Sequence, residues 1–288
     1  MLLGEKMNTK LFQFLKSDFI VTKTDKWESY YVKQRQKYLI TACCLGVFIY
    51  FMYLFVLSLY GYPIKQFELR IECLNKIPYT EMIAVLLIIS CISGIMMNKL
   101  DKFSSDNKEI SWFTFKLNIK QAHKICKILF YINILFTAFA CSLGLLYVPV
   151  QIVMIAVSLT FILYIICMIF GLLGTFTKLR LNQYYILVVE SIFCLFLCSA
   201  TGLFHSKWYI IMTSIIGIIF DSLFILFMYN DMQYIQKNLF IKTKLLSEED
   251  KKNIYDIEIM NEVSMLYITI YNLILNFCKL LMGSAMDD

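Results

Sequence analysis

The residues of this chain whose types and spacing could do chemistry are a few acids in or beside long apolar runs. Glu190 and Asp221 lie within such runs, and Asp231 lies just beyond the end of one. An Asp at the centre of a membrane-spanning helix costs about 2.5–3.5 kcal/mol on insertion scales, so such a residue usually faces a protein interior or a wet cavity. Burial favours the neutral form of an acid, which makes each of the three a candidate for sensing protons or coordinating a cation. The alternatives are an interhelical hydrogen bond for Glu190 and Asp221 and plain solvation at the interface for Asp231.

The rest of the sequence lacks the constellations typical of an enzyme or a metal centre. The only two histidines, His123 and His205, are far apart, and most of the ten cysteines fall inside apolar runs, where Cys behaves as a small hydrophobic residue. There is no Gly-rich phosphate-binding loop and no HExxH motif. We therefore predict no enzyme, no catalytic residues, no resident metal ion and no cofactor.

The elements that must position the three acids are membrane-spanning helices. Apolar residues make up 59% of the chain and charged residues 17%, and the charges gather in the gaps between long apolar runs. A run of about 18 apolar residues crosses the hydrocarbon core, whereas a soluble helical bundle would need a polar stripe on each helix, which these runs lack. The pattern predicts an all-α membrane protein with about seven transmembrane helices in a single bundle. The lipid bilayer is then its first partner, and the net charge of +6 reflects loop topology instead of a nucleic-acid surface.

The boundaries of the predicted spans follow the charges and the prolines. Pro149 divides one long uncharged stretch into two spans joined by a tight hairpin. Residues 1–37 are predicted to form a cytoplasmic segment and 38–286 the seven-span domain, with longer cytoplasmic loops over 99–127 and 237–262. The first of these loops has the composition of an interfacial helix, and the second contains Ser247 as a predicted helix N-cap; a solvated connector is the alternative for both. The predicted spans are 38–60, 80–98, two within 128–177, 181–203, 208–229 and 263–282.

Orientation follows from the placement of Lys and Arg. Twenty-two of the 27 lie in the N-terminal segment and in alternate loops that share its side. By the positive-inside rule the N-terminus is cytoplasmic. The last span either crosses fully or is re-entrant, and the sequence leaves both open.

The end of the chain resembles the Bax inhibitor (lifeguard, transmembrane Bax inhibitor motif) family. The stretch Tyr229-Asn-Asp231-Met-Gln233-Tyr-Ile235-Gln-Lys237 resembles the family's Tyr-Asp-Thr-Gln signature and the Leu-Ile-x-x-Lys that follows it. The next span, Leu266-Tyr267-Ile-Thr269-Ile-Tyr-Asn272-Leu273, is similar to the family's Leu-Tyr-Leu-Asp-Phe-Ile-Asn-Leu. The resemblance covers about the last 80 residues, and before them only the span count and the loop lengths agree.

The resemblance implies a calcium leak in an internal membrane such as the endoplasmic reticulum. In this family two aspartates on the last two helices share a proton and close the pore, and loss of protons favours opening. By position, Asp231 is the first acid and Gln233 its neighbour in the motif. Where the family has its second acid, this chain has Thr269 in the ungapped register or Asn272 in a shifted one. A rival alignment places Asp221 on the signature, and Glu190 or Asp221 is a candidate for the second carboxylate.

Three functions remain open at this stage. The first is a pH-sensitive calcium leak or channel that influences calcium homeostasis and, through it, cell death. The second is a non-conducting scaffold or regulator that acts through other membrane proteins, which the missing second acid favours. The third is a proton-coupled transporter of small solutes, for which the sequence shows neither an internal repeat nor a broken span.

Overall fold

The described residues of the computed structural model form long α-helices and one small sheet. The structure describes residues 26–60, 71, 78–100, 103–104, 109–112, 115–172 and 207–284. Six of the helices in these ranges are long and apolar enough to cross a membrane, which confirms a multi-pass, mainly helical membrane protein. The predicted span over 181–203, and Glu190 with it, lies outside the described residues. The helices are α1 (Lys26–Leu59), α2 (Tyr79–Lys99), α3 (Ile119–Leu145), α4 (Val150–Leu172), α5 (Lys207–Thr243) and α6 (Glu248–Ser284).

Local signals set the ends of several helices. The backbone N–H of Asp250 donates to the hydroxyl of Ser247 at 3.2 Å, so Ser247 caps α6 as its sequence predicts. The side chain of Asn118 caps α3 by accepting from the N–H of Lys120 at 2.8 Å. Helix α3 ends at Leu145 and α4 begins at Val150, so the long uncharged stretch is interrupted at Pro149 as predicted.

The first of the two predicted loops contains a sheet. Strands β1 (Phe103–Ser104), β2 (Glu109–Trp112) and β3 (Phe115–Asn118) pair antiparallel in that order, so the prediction of an interfacial helix over 99–127 is wrong. Ile110 on β2 is buried, and the indole of Trp112 donates to the carbonyl of Met96 at 3.2 Å. This contact attaches the sheet to the end of α2.

The second predicted loop, over 237–262, is mostly helical. Helix α5 continues to Thr243 and α6 begins at Glu248, which leaves only residues 244–247 between them. Likewise α1 begins at Lys26, before the predicted span at Tyr38. The helices extend beyond their apolar runs because charged residues such as Lys and Glu are good helix formers.

The described chain divides into two compact units. The α1–α3 unit comprises Lys33–Ile155 and Ile241–Tyr271, and the α4–α5 unit comprises the described parts of Met1–Val32, Ala156–Phe240 and Asn272–Asp288. The sequence predicts a single bundle, and the structure supports the coarser description of membrane helices in two units. Many large apolar side chains on these helices point outward, as expected of a lipid-facing surface, for example Phe48, Ile88, Phe161 and Ile219.

Candidate functional site

A row of polar side chains runs along one face of α6 in the α1–α3 unit. The spacing of three, four or eight residues places them on the same side of the helix. At 1.5 Å per residue the row extends for about 27 Å. All but Asn253 are buried or nearly so, and Met260 is the one apolar interruption. We call the set Asn253, Asp256, Ser264, Tyr267 and Tyr271 the polar row.

The N-terminal half of α6 carries two acid–base pairs, one of them in the polar row. Asp256 is buried, and its Oδ2 lies 3.5 Å from Nε2 of His123 on α3, whose side chain is 19% exposed. On another face of α6, Oε2 of Glu262 lies 3.1 Å from Nε of Arg35 on α1. Both members of this second pair are buried, so each supplies much of the charge balance that the other needs in a low dielectric. The two pairs tie α6 to α3 and to α1.

Asn133 joins three helices at the middle of the row. Its amide nitrogen donates to the carbonyl of Ser90 on α2 at 2.8 Å, and its amide oxygen accepts from the hydroxyl of Ser264 on α6. The hydroxyl of Ser90 lies 2.6 Å from that of Thr137 on α3. All four side chains are buried, so their hydrogen bonds satisfy groups that water does not reach.

Two tyrosines form the other end of the row. The rings of Tyr267 and Tyr271 meet edge to face with centroids 5.0 Å apart. Nearby, the hydroxyl of Ser142 donates to the carbonyl of Gly46 at 3.5 Å. A Cβ on Gly46 would overlap the hydroxyl of Tyr271 and lie 2.8 Å from that of Tyr267. Glycine therefore permits the close approach of α1 to the tyrosines.

Asp221 is the predicted site residue that the structure places in a defined polar contact between helices. It is buried on α5, and its Oδ2 accepts from the side-chain nitrogen of Asn276 on α6 at 3.2 Å, within the α4–α5 unit. Gly217, one turn earlier, allows this approach, since a Cβ there would lie 2.8 Å from Cγ of Asn276. The contact is the interhelical hydrogen bond given above as the alternative for Asp221.

The residues singled out by the family resemblance are placed as follows. Asp231 is half-buried on α5 and belongs to the α4–α5 unit, as does the half-buried Asn272. Thr269 belongs to the α1–α3 unit, and its buried hydroxyl donates to the carbonyl of Met265 in its own helix at 3.0 Å. Gln233 lies on α5, and its side chain is outside the description, as is all of Glu190.

The side chains of the polar row are hydrogen-bonding groups more than metal ligands. Among the residues that the structure describes, no group of three or more His, Cys, Asp and Glu side chains is placed to hold a metal ion. A row of hydroxyl, amide and carboxyl groups can instead exchange hydrogen bonds with a moving proton or with a cation that is partly hydrated. His123 adds an imidazole, which can donate or accept a proton.

Comparison with known proteins gave no match to a family model, to a curated protein or to a solved structure. The resemblance to the Bax inhibitor family therefore stays a prediction from the sequence.

Sequence reasoning missed Arg35, His123, Asn133, Asp256 and Glu262. Arg35, His123, Asp256 and Glu262 fell in segments interpreted as cytoplasmic, and Asn133 in a span whose polar residues were not weighed. One signal was available: the helical period of the polar row continues from Tyr271 back to Asn253 without a break other than Met260. The partners of these residues on α1, α2 and α3 are far away along the chain, so that signal would not have identified them.

Proposed function

We propose that this chain is a pH-sensitive cation leak that passes calcium across an internal membrane and so influences calcium balance and cell death. The observation that supports it best is the His123–Asp256 pair at the end of the polar row. Carboxylate oxygens are the ligands that calcium prefers, and the row continues from Asp256 along α6 with further oxygen-bearing side chains. The resemblance to the Bax inhibitor family supplies the expectation of calcium and of an internal membrane.

In this proposal, protonation of His123 closes the path. A charged imidazole competes with an incoming cation for the carboxylate of Asp256, and a neutral one does not. Flux should therefore be low when the imidazole is charged and higher when it is neutral. This direction agrees with the family, in which loss of protons favours opening. The charged groups that share the surroundings of His123 are Lys37 on α1, Lys127 on α3 and Glu249, Lys252 and Asp256 on α6.

The test is calcium flux from sealed liposomes that contain the purified protein, between about pH 6 and 8. We expect wild-type flux to rise with pH, His123→Gln to remove most of that dependence, and Asp256→Asn to reduce flux at every pH. Glu81→Gln, an exposed acid at the start of α2, is the matched control and should behave as wild type. An Asp231→Ala variant measured beside them asks whether the family position also contributes.

The second candidate is a non-conducting scaffold. The closed hydrogen-bond network around Asn133 favours it, because such networks also serve as plain interhelical adhesion in membranes. Folded protein that passes no more calcium than empty liposomes at any pH would rule out the leak and leave the scaffold.

A further inference from the structure

A cavity opens at the charged end of the polar row, between α1, α3 and α6. Its volume is about 410 Å³, and all of its lining residues belong to the α1–α3 unit. Helix α1 contributes Gln34, Lys37, Tyr38 and Thr41, and α6 contributes Asn253 among others. A cavity of this size holds a small polar ligand or the headgroup of a lipid.

Basic groups outnumber acidic ones around the cavity. Its lining includes the three lysines Lys37, Lys127 and Lys252 and the two acids Glu249 and Asp256. Glu249 lies 3.0 Å from Nζ of Lys120 outside the cavity, and Asp256 lies 3.5 Å from Nε2 of His123. Within the described residues, no ion pair forms at Lys37 or Lys127. The cavity therefore has an excess of positive charge and amide donors, which suits a phosphate.

The cavity also straddles the edge of the apolar runs. In α1 its lining extends from Gln34 to Thr41, across the residue at which the uncharged stretch begins, and in α3 from His123 to Tyr131. Next to these lining residues, Ile40 and Ile128 point outward with 63% and 60% of their surface exposed. Lipid headgroups lie at this depth, with their acyl chains against such outward apolar side chains.

We propose that this cavity binds a phosphate-bearing anionic headgroup, with the ammonium groups of Lys37 and Lys127 as its main contacts. Asn253 supplies an amide donor to the same phosphate, and Ile40 and Ile128 border the acyl chains. The inference does not rest on the proposed leak, because it concerns binding at the surface of the unit and requires no conduction. A soluble phosphate compound has the same contact chemistry, so the test separates the two sources.

The test measures lipid binding to the full-length protein purified in a mild detergent. Native mass spectrometry counts the molecules of phosphatidylinositol 4,5-bisphosphate and of phosphatidylcholine that each variant retains. We expect wild type to retain the anionic lipid selectively. Lys37→Ala/Lys127→Ala should weaken binding of that lipid about 25-fold, at about fivefold for each lysine near a membrane surface. The matched control is Lys242→Ala/Lys244→Ala, which removes the same charge from exposed positions outside the cavity. Lys37→Arg/Lys127→Arg should retain binding, which separates loss of contact from loss of fold.

A second measurement adds inorganic phosphate at millimolar concentration and follows thermal unfolding. If phosphate stabilises wild type but not the alanine pair, while neither retains anionic lipid, the cavity takes a soluble phosphate compound and the contact chemistry stands. Equal lipid retention by the alanine pair and wild type, without a phosphate effect, would overturn the proposal. Equal losses of lipid retention in the cavity variant and in the control variant would also overturn the proposal, because they indicate a general effect of surface charge.

Discussion

At the scale of single residues, the main finding is that two acid–base pairs of the α1–α3 unit are largely buried. Arg35 and Glu262 lie 3.1 Å apart with almost no exposed side-chain surface, and His123 and Asp256 lie 3.5 Å apart. Removing one member of such a pair strands the other charge, whereas removing both avoids this. The pairs therefore place strong constraints on which substitutions the unit accepts.

The Arg35–Glu262 pair gives the first prediction. We expect Arg35→Met to lower the free energy of unfolding by about 3–5 kcal/mol, because the buried carboxylate of Glu262 loses its main counter-charge. Arg35→Met/Glu262→Met should recover most of the loss. Chemical unfolding in detergent measures both, with Lys33→Met, an exposed lysine on the same helix, as the control. A double variant no more stable than the single one would contradict the prediction.

The hydroxyl of Ser264 gives the second prediction. It donates to Asn133 on another helix, whereas the equally buried hydroxyl of Ser93 donates to the carbonyl of Ser90 in its own helix. Ser264→Ala should lower the free energy of unfolding by about 1 kcal/mol and Ser93→Ala by less than about 0.5 kcal/mol. Thermal unfolding of the two variants in the same detergent compares them, and an equal effect would mean that the interhelical bond contributes nothing measurable.

At the scale of elements, two features decide how α1 and α6 are placed. Gly46 allows α1 to approach the tyrosines at the end of the polar row, and Ser247 begins α6 four residues after α5 ends. Gly46 acts through close packing between helices, and Ser247 acts through a hydrogen bond to the backbone of the first turn of α6. Each can be tested by one substitution and its rescue.

Gly46→Ala should destabilise the protein by about 1–3 kcal/mol although alanine is the better helix former, because the added methyl group overlaps the Tyr271 hydroxyl. Since the atom it meets is that hydroxyl, Gly46→Ala/Tyr271→Phe should restore part of the stability. Thermal unfolding of the single and double variants checks this. No rescue by Tyr271→Phe would mean that the Tyr271 hydroxyl is not the source of the strain.

Ser247→Ala should lower the free energy of unfolding by about 1 kcal/mol, because the first turn of α6 loses the side-chain acceptor that bonds the N–H of Asp250. Ser247→Asp keeps an acceptor at the cap and should remain near wild type. Unfolding monitored by circular dichroism distinguishes the two. Similar losses in both variants would show that the hydroxyl acts through something other than capping.

At the scale of the whole molecule, the cavity at the charged end of the polar row constrains the membrane topology. The first residues of α6 line the same cavity as Gln34–Thr41 of α1, so α6 starts on the side of the membrane where the apolar run of α1 starts. The chain must then cross an even number of times between these two points. The sequence-predicted count of seven spans meets this condition, because it places six crossings between the two points, one of them over 181–203. The count stays a prediction.

Epitope tags test this topology in sealed vesicles. A tag at the N-terminus and one after Leu245, a residue 92% exposed between α5 and α6, should be accessible from the same side. A tag at Tyr147, between α3 and α4, should be accessible only from the opposite side. If the tags at Leu245 and at the N-terminus lie on opposite sides, the count of seven is wrong.

By itself the sequence determined the class of the protein, because the length and the purity of an apolar run depend on nothing beyond the run. The break at Pro149, the cap at Ser247 and most span positions follow from equally local rules. It did not determine the candidate site. His123 and Asp256, or Ser90, Asn133 and Ser264, are brought together only when helices pack, because each partner lies tens of residues away along the chain. The same long-range packing buries two acids, Asp256 and Glu262, that the sequence places in a solvated loop. The surroundings of a charged side chain depend on the neighbouring helices and not on its own segment alone.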